Sequence, residues 1–574
     1  MPICKYFLFL LIVTAPSVAE ASESEPQKVI VTGKRDTSQI IIKGVRDPSK
    51  WFRIESQNLI VYSDSDPEEV VELINNLERL DYLLRLYLKP FLVRKTEETK
   101  LTLYFQNRLH WEPGLGEIPF DTVGLIDSCV SGTQAFTFSL GRMWNSSNAS
   151  LLKDEGSLTQ WTVFSLYSHN FLDRYTDIRG PEWFIQGFRA YFGGVRFTDN
   201  QMAIGRAAGT SADLMKALDY GNGNLIFLTY DQVLRQELPL GFFGHMKRGE
   251  VGTAPYLAEW EFLSRSFNLV HYMLSSAESR DKMAKYLDAV NNGSDGGAAF
   301  ADVFGLSGSE LAMTMWYYRR VHMKVIQVDF PELPTARIDF SRLSRIEGDF
   351  VLDSAALKAC PTADNGLNLL HRVQRAATSA RSIDFAQVTL SRAQIEWGDP
   401  RDAIPYLTDA VGRDPNNEEF RFLLGLANLR LAERAPDGKH ELLVKAQIGL
   451  AQAALLAPGR PEITYALFRA GILDTETAPE KSLGLAISTW RQGHDVPVFA
   501  RSAALAYAWL GDAAGAYRAF NTLVRNGRDP NNAAWAIRWL NRLEKGVKKD
   551  ELLAAMRSES FAPPGFRYSV TNAR

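Results

Sequence analysis

Cysteine is nearly absent from this chain: three residues in 574, at Cys4, Cys129 and Cys360. That spacing makes neither a disulfide framework nor a metal motif. Charge of one sign is also lacking, because 64 Lys and Arg stand against 67 Asp and Glu, a formal balance of −3. No broad basic field exists to attract nucleic acid or anionic lipid, and both are set aside as partners. Beyond the first residues no segment approaches the ~20 apolar residues of a membrane helix, so no membrane span is expected. There is no G-x-S-x-G, and the Gly-rich "NNGSDGGAAF" lacks the Lys-Ser/Thr ending of a phosphate loop, which leaves it a connector.

What is present starts with an export signal. Lys5 supplies the positive region, Tyr6 to Val13 a short apolar core, and Ala19-Glu20-Ala21 a small-residue cleavage site. Residues 1–21 are therefore read as a cleaved signal peptide and the remainder as periplasmic or secreted, in a bacterial style. The oxidising compartment permits a bond between Cys129 and Cys360, although sequence does not show that they meet. Residues 22–48 are polar and read as a flexible linker, with "VIVTGKR" a short edge strand at most.

A small α/β layer follows. "NLIVYS", "KLTLYFQ" and "AFTFSL" alternate as strands do. Between the first two, Asp66 is placed to cap a helix, Pro67 fits its first position, and Glu68 and Glu69 complement its positive end. Val70, Leu73, Ile74, Leu77, Leu80, Leu84, Tyr87 and Leu88 recur at helical spacing and define its core face. From about residue 158 to 320 helices dominate, and His271, with no companion ligand motif, reads as a core histidine.

Within that helical region "SLYSHNF" precedes "PEWFIQGFRAYF". A zincin helix needs H-E-x-x-H: two imidazoles four apart grip one metal and the Glu beside the first activates its water. The two stretches resemble the peptidase-MA-like gluzincins, whose core runs approximately H-E-Y-T-H-H-F, then P-x-W-x-x-E-G-x-A-E-Y-F, often ahead of helical repeats. Pro181, Trp183, Gly187, Tyr191 and Phe192 agree with that pattern, and all are scaffold positions. The chemical positions differ. Ser165 stands at the first zinc His, Leu166 at the catalytic Glu, Gln186 at the third ligand Glu, and Ala190 at the acidic residue of A-E-Y-F. His169 alone matches a ligand. The resemblance thus implies a gluzincin-like domain over residues 49–330 whose zinc site is lost and which needs no cofactor. Leu166 takes no proton at any pKa, so the general base is gone. Two residual chemistries stay open: a Ser165–His169 dyad, and a different metal on His169, Asp173 and Glu182.

After a connector over residues 331–382, residues 383–545 resemble tetratricopeptide repeats. Gly398, Ala403, Leu407, Ala410 and Pro415 fit one unit. Leu424, Gly425, Ala446, Leu450, Ala453 and Pro458 fit a second, and Ala504, Tyr507, Gly511, Ala516 and Phe520 a later one. Residues 546–574 read as a tail. The expected architecture is an α+β gluzincin-like domain, a small mixed sheet plus a helical subdomain, followed by an all-α tetratricopeptide-like solenoid. The expected function is binding of a peptide or protein partner in the cell envelope, through the cleft, the repeats or both. The competing readings are a zinc metallopeptidase or other hydrolase with non-standard site residues, and a structural envelope protein.

Overall fold

The computed structural model describes residues 27–33, 36–43, 47–92, 100–107, 115, 122–139, 155–176, 178, 180–198, 201–207, 228–236, 254–329, 333–435, 439–525, 530–558 and 568–572; the segment read as a signal peptide lies outside the described residues. In chain order come β1 (Gln27–Gly33), β2 (Asp36–Lys43), β3 (Pro48–Glu55), β4 (Leu59–Ser63), α1 (Pro67–Tyr87), β5 (Leu101–Gln106), β6 (Thr122–Cys129) and β7 (Gly132–Phe138). Helices then take over with α2 (Glu155–Tyr175) and α3 (Glu182–Gly193), followed by the short strands β8 (Arg196–Phe197) and β9 (Gln201–Ile204). Next are α4 (Tyr230–Arg235), α5 (Ala254–Leu274), α6 (Ala277–Asn291), α7 (Gly296–Phe304) and α8 (Gly308–Tyr317). Strand β10 (Ile326–Asp329) pairs with β9, and β11 (Ile338–Ser344) leads into α9 (Arg345–Lys358) and α10 (Ala363–Ala377). The helical array is α11 (Asp384–Trp397), α12 (Ile404–Arg413), α13 (Glu418–Arg434), α14 (Lys439–Leu456), α15 (Pro461–Leu473), α16 (Glu480–Gln492), α17 (Pro497–Leu510), α18 (Ala513–Arg525), α19 (Pro530–Glu544) and α20 (Lys549–Ser558). Strand β12 (Tyr568–Asn572) comes last.

Local signals make α1 as expected. Asp66 Oδ1 accepts the Glu68 amide at 2.9 Å, and Val70, Leu73, Ile74, Leu77, Leu80 and Leu84 are buried. The sheet is larger than the small one expected, with nine strands among the described residues in the order β1-β2-β11-β3-β4-β5-β7-β6-β12. Strands β4, β5 and β7 run parallel, while β6 returns antiparallel on β7 and β12 antiparallel on β6. The pleat sends Leu101, Leu103 and Phe105 to one face, against α1 and α2. Tyr104, Leu125 and Phe136 go to the other, against α9, α10 and α11.

Three expected boundaries differ from this structure. Residues 22–48 are no plain linker, because Ile40, Ile41 and Ile42 form a strand register with Ile338, Asp339 and Phe340. Residues 331–382 are no connector: β11 sits in mid-sheet between β2 and β3, and Ser344 and Glu347 form a capping box that starts α9. Residues 546–574 contain α20, which packs on α15 and α17, as well as β12. The strand pairings among these departures join segments hundreds of residues apart, which local periodicity does not carry.

In the array each helix from α11 to α19 packs on the next. Gly425 meets Leu450 closely, and Ala403, Leu407, Ala410, Ala446 and Ala453 are buried between helices. Its inner helices are covered as well as packed. Nearly every residue of α15 is buried, Arg174 Nη2 donates to Gly459 O at 2.7 Å, and the sheet's Cys129 and Val130 belong to the array's own core. A charged string runs along this inner side: Glu419 takes Arg392 Nη2 at 2.7 Å and Arg460 Nη1 at 3.1 Å. Burial alone would raise the Glu419 carboxyl, but Lys358, Arg392 and Arg460 outweigh it and hold it well below the usual range.

Cys129 and Cys360 form a disulfide, with Cα atoms 6.3 Å apart and a sequence separation of 231. Closing so long a loop stabilises by roughly 2–4 kcal/mol through the unfolded chain. Reduction, or Cys360→Ser, is therefore expected to lower the thermal midpoint by about 2–3 °C. An unchanged midpoint in calorimetry would mean that the bond does not join parts that separate on unfolding.

Candidate functional site

The two motif helices lie side by side. Gly193 near the end of α3 rests on Trp161 in the first half of α2, so the pair runs antiparallel. Tyr167 Oη donates to Asp81 Oδ1 at 2.8 Å and clasps α2 to α1. Gln236 Oε1 accepts the Glu182 amide at 2.6 Å and fixes the start of α3. On its far side α3 crosses α5 so closely that a Cβ on Gly187 would lie 2.3 Å from Ser266 O.

The side chains at the chemical positions are committed elsewhere. Ser165 and Leu166 are each 1% exposed. Leu166 packs over β6, where a Cβ on Gly124 would come within 2.9 Å of its Cδ1 and 2.5 Å of Thr162 Cγ2. His169 Nε2 lies 3.4 Å from Asp173 Oδ2 one turn on. Gln186 Nε2 donates to Glu182 Oε1 at 2.6 Å, and its Oε1 accepts from Arg189 Nη1 at 3.4 Å, so its amide is tied at both ends within α3. Ala190 is half-buried against the main core. His271 is buried, with Nδ1 2.7 Å from Tyr318 Oη, and burial lowers its pKa.

These residues do not fit a zinc ion. Ser165 is enclosed, Gln186 is held by its own helix, and among the described residues no three His, Cys, Asp or Glu side chains converge as ligands. His169, Asp173 and Glu182 are therefore not a three-ligand group.

Sequence reasoning missed the feature that lies against α2. Strand β6 was not anticipated, although "TVGLIDSC" is largely apolar between turn residues. Its outer edge receives β12, with Tyr568 opposite Asp127, Ser569 opposite Ile126, Val570 opposite Leu125 and Thr571 opposite Gly124. Strand β12 also touches α2. The edge beneath Leu166 and Thr162 thus carries an extended segment. Asp127 on this strand is 1% exposed, and its Oδ2 has no hydrogen-bond partner among the described residues. Burial lifts its carboxyl well above the usual range, and Asp495 nearby adds to the shift.

No protein-family model matches the chain, and no curated protein matches it. Among solved structures, a thermophilic TPR protein of Thermus thermophilus aligns over 34% of this chain and 99% of its own length, at 19% identity and a TM-score of 0.29. That likeness is too low to bear on function. No helix among the described residues is long and apolar enough to cross a membrane.

The Asp127 shift gives a prediction with a definite sign. The unfolded chain ionises this carboxyl above about pH 3.9, while burial makes the folded chain hold the proton to higher pH, so stability is lost as pH rises. Asp127→Asn removes that loss. The variant should melt above the wild type at pH 7, with the gap closing toward pH 4. Equal melting curves at both pH values would show an ionised, satisfied Asp127 in the folded protein.

Proposed function

We propose that this chain is an exported, catalytically degenerate peptidase-like protein that holds an extended peptide or protein segment in the cell envelope. The observation that carries the reading is the seat of β12 on β6. A sheet edge offers a row of unpaired backbone donors and acceptors, and strand addition is a recurrent way of binding an extended peptide. Here the edge lies under α2, and the groups that would cut a bound peptide are replaced by Ser165, Leu166 and Gln186.

The gluzincin resemblance and the tetratricopeptide-like reading of the array support the proposal as pattern. In the latter, Gly398, Ala403 and Pro415, then Gly511, Ala516 and Phe520, set the helix pairs. A second, architectural reading draws on the coverage of α15 by the sheet and on the Cys129–Cys360 bond, which make the array a brace for the sheet.

The chain's own tail is the probe. A peptide of residues 566–574 should bind protein lacking residues 568–574 and be nearly excluded from the full chain, where the tethered strand competes at an effective concentration on the order of millimolar. Fluorescence anisotropy should give at least ~10-fold tighter binding to the deleted protein, and N-methylation of the peptide backbone should abolish it. No cleavage products should appear. Equal affinities would remove the edge as the binding site, while cleavage lost on His169→Ala would establish the enzyme reading instead.

A further inference from the structure

Arg392 on α11 is 1% exposed, and its guanidinium is met on one side only. Nη2 donates to Glu419 Oε1 at 2.7 Å, while Nε and Nη1 have no hydrogen-bond partner among the described residues. The Phe422 ring centroid lies 5.7 Å from the guanidinium carbon, and a ring face brings no lone pair in place of the missing acceptors. A guanidinium keeps its charge at any working pH, so these donors are not withdrawn by titration. Buried donors of a charged group are costly to leave unmet.

Lys358, the last residue of α9, belongs to the same cluster. Among the described residues no hydrogen bond or ion pair reaches its ammonium. Burial lowers its pKa, Glu419 opposes the fall, and Arg392 and Arg460 add to it. The charges inside do not balance. Lys358, Arg392 and Arg460 surround two enclosed carboxylates, Glu419 and Glu462, whose side chains are 18% and 8% exposed. Arg460 engages both, through Nη1 at 3.1 Å and Nε at 2.7 Å. Glu418 lies 3.7 Å from Arg460 but is 43% exposed, so water screens it. Helix α15 also opens here with no side-chain cap on Arg460, which adds the positive end of a helix.

We propose that one small inorganic anion, of the size and charge of chloride, sits between the Lys358 ammonium and the unmet side of the Arg392 guanidinium as a structural counter-ion. Three cations around two enclosed carboxylates leave one positive charge over, which a monovalent anion cancels. A water would bring hydrogens of its own to a place already short of acceptors, whereas a halide only accepts. An organic carboxylate has no path to a guanidinium that is 1% exposed, and a monatomic ion asks for little more room than a water. The ion lies at the join between sheet and array, because Cys129 Sγ at the tip of β6 is 3.3 Å from Lys358 O. The proposal does not depend on peptide binding at the sheet edge.

The test uses the full chain. Crystals soaked in sodium bromide should show an anomalous peak in contact with both the Arg392 guanidinium and the Lys358 ammonium. In solution the thermal midpoint should rise by about 1–3 °C, to a plateau, as sodium chloride replaces sodium gluconate at constant ionic strength. Lys358→Met keeps the volume and removes the charge, and it should lose most of that rise. Arg392→Lys keeps a charge for Glu419 but not the extra nitrogens, and it should lose the rise as well. Glu418→Gln should keep it. A bromide map without that peak overturns the proposal, as does an equal rise in wild type and the variants at 358 and 392. A peak with no chloride dependence of the midpoint marks an adventitious ion only, and the proposal fails. Should Lys358→Met not fold, Arg392→Lys and the bromide map decide.

Discussion

The hairpin of β6 and β7 is the constraint on which the rest of this structure depends. One face of it takes α2, with Gly124 giving way to Thr162 and Leu166. The other takes α9, where Gln134 Nε2 donates to Ala355 O at 3.3 Å. Its tip enters the array's core at Cys129 and Val130, its last cysteine is bonded to Cys360, and its free edge holds β12. Displacing this hairpin would therefore disturb α2, the junction with the array and the seat of the chain's last strand together. It also explains why a carboxyl as poorly served as Asp127 persists there. The strand is fixed by its neighbours on each side, and the cost of one poorly served side chain does not move it.

How much of this was legible in the sequence follows from the range of each signal. Helix α1 was readable residue by residue, because its cap at Asp66, its first-position Pro67 and its apolar face all lie within one segment. The array was readable in outline for the same reason: small residues such as Ala403 and Ala446 sit where two neighbouring helices touch. Strands β11 and β12 were not readable. Their partners, Phe52 to Glu55 and Thr122 to Asp127, lie hundreds of residues away, and a short alternation does not name its partner.

The candidate site divides along the same line. Trp183, Gly187 and Tyr191 read from the sequence as scaffold positions, and the structure gives each a packing reason of its own. Trp183 is fully buried and lies 5.9 Å from the Tyr286 ring, Gly187 passes the backbone of Ser266, and Tyr191 meets His271 edge-on. Such residues follow from two helices crossing closely, and that crossing says nothing about chemistry. The chemical positions had to be judged from their surroundings, and the contact of Leu166 with Gly124 is informative because the two residues are coupled. A larger or charged side chain at 166 would meet the backbone of β6, and any side chain at 124 would meet Leu166 and Thr162. The sheet edge and the helix above it are fitted to each other at this contact.

The array extends this argument to partners. A helical solenoid that binds through its concave side needs that side open. Here the inner helices are occupied: α11 lies against α9, α15 takes the contact from Arg174, and α20 closes over α15 and α17, with Arg469 Nη1 donating to Met556 O at 2.7 Å and Arg557 Nε to Ile472 O at 2.9 Å. The groups that would read a ligand from within, Arg392, Glu419, Arg430 and Arg460, are already paired with one another or with neighbouring carboxylates. Recognition from inside the curve would require breaking buried ion pairs, which costs about 3–5 kcal/mol for each charge left alone. A partner that met only the outer helices would face no such cost, and neither would one that replaced β12, since it would restore the backbone ladder it displaced. The chain's inward charges thus serve its own assembly.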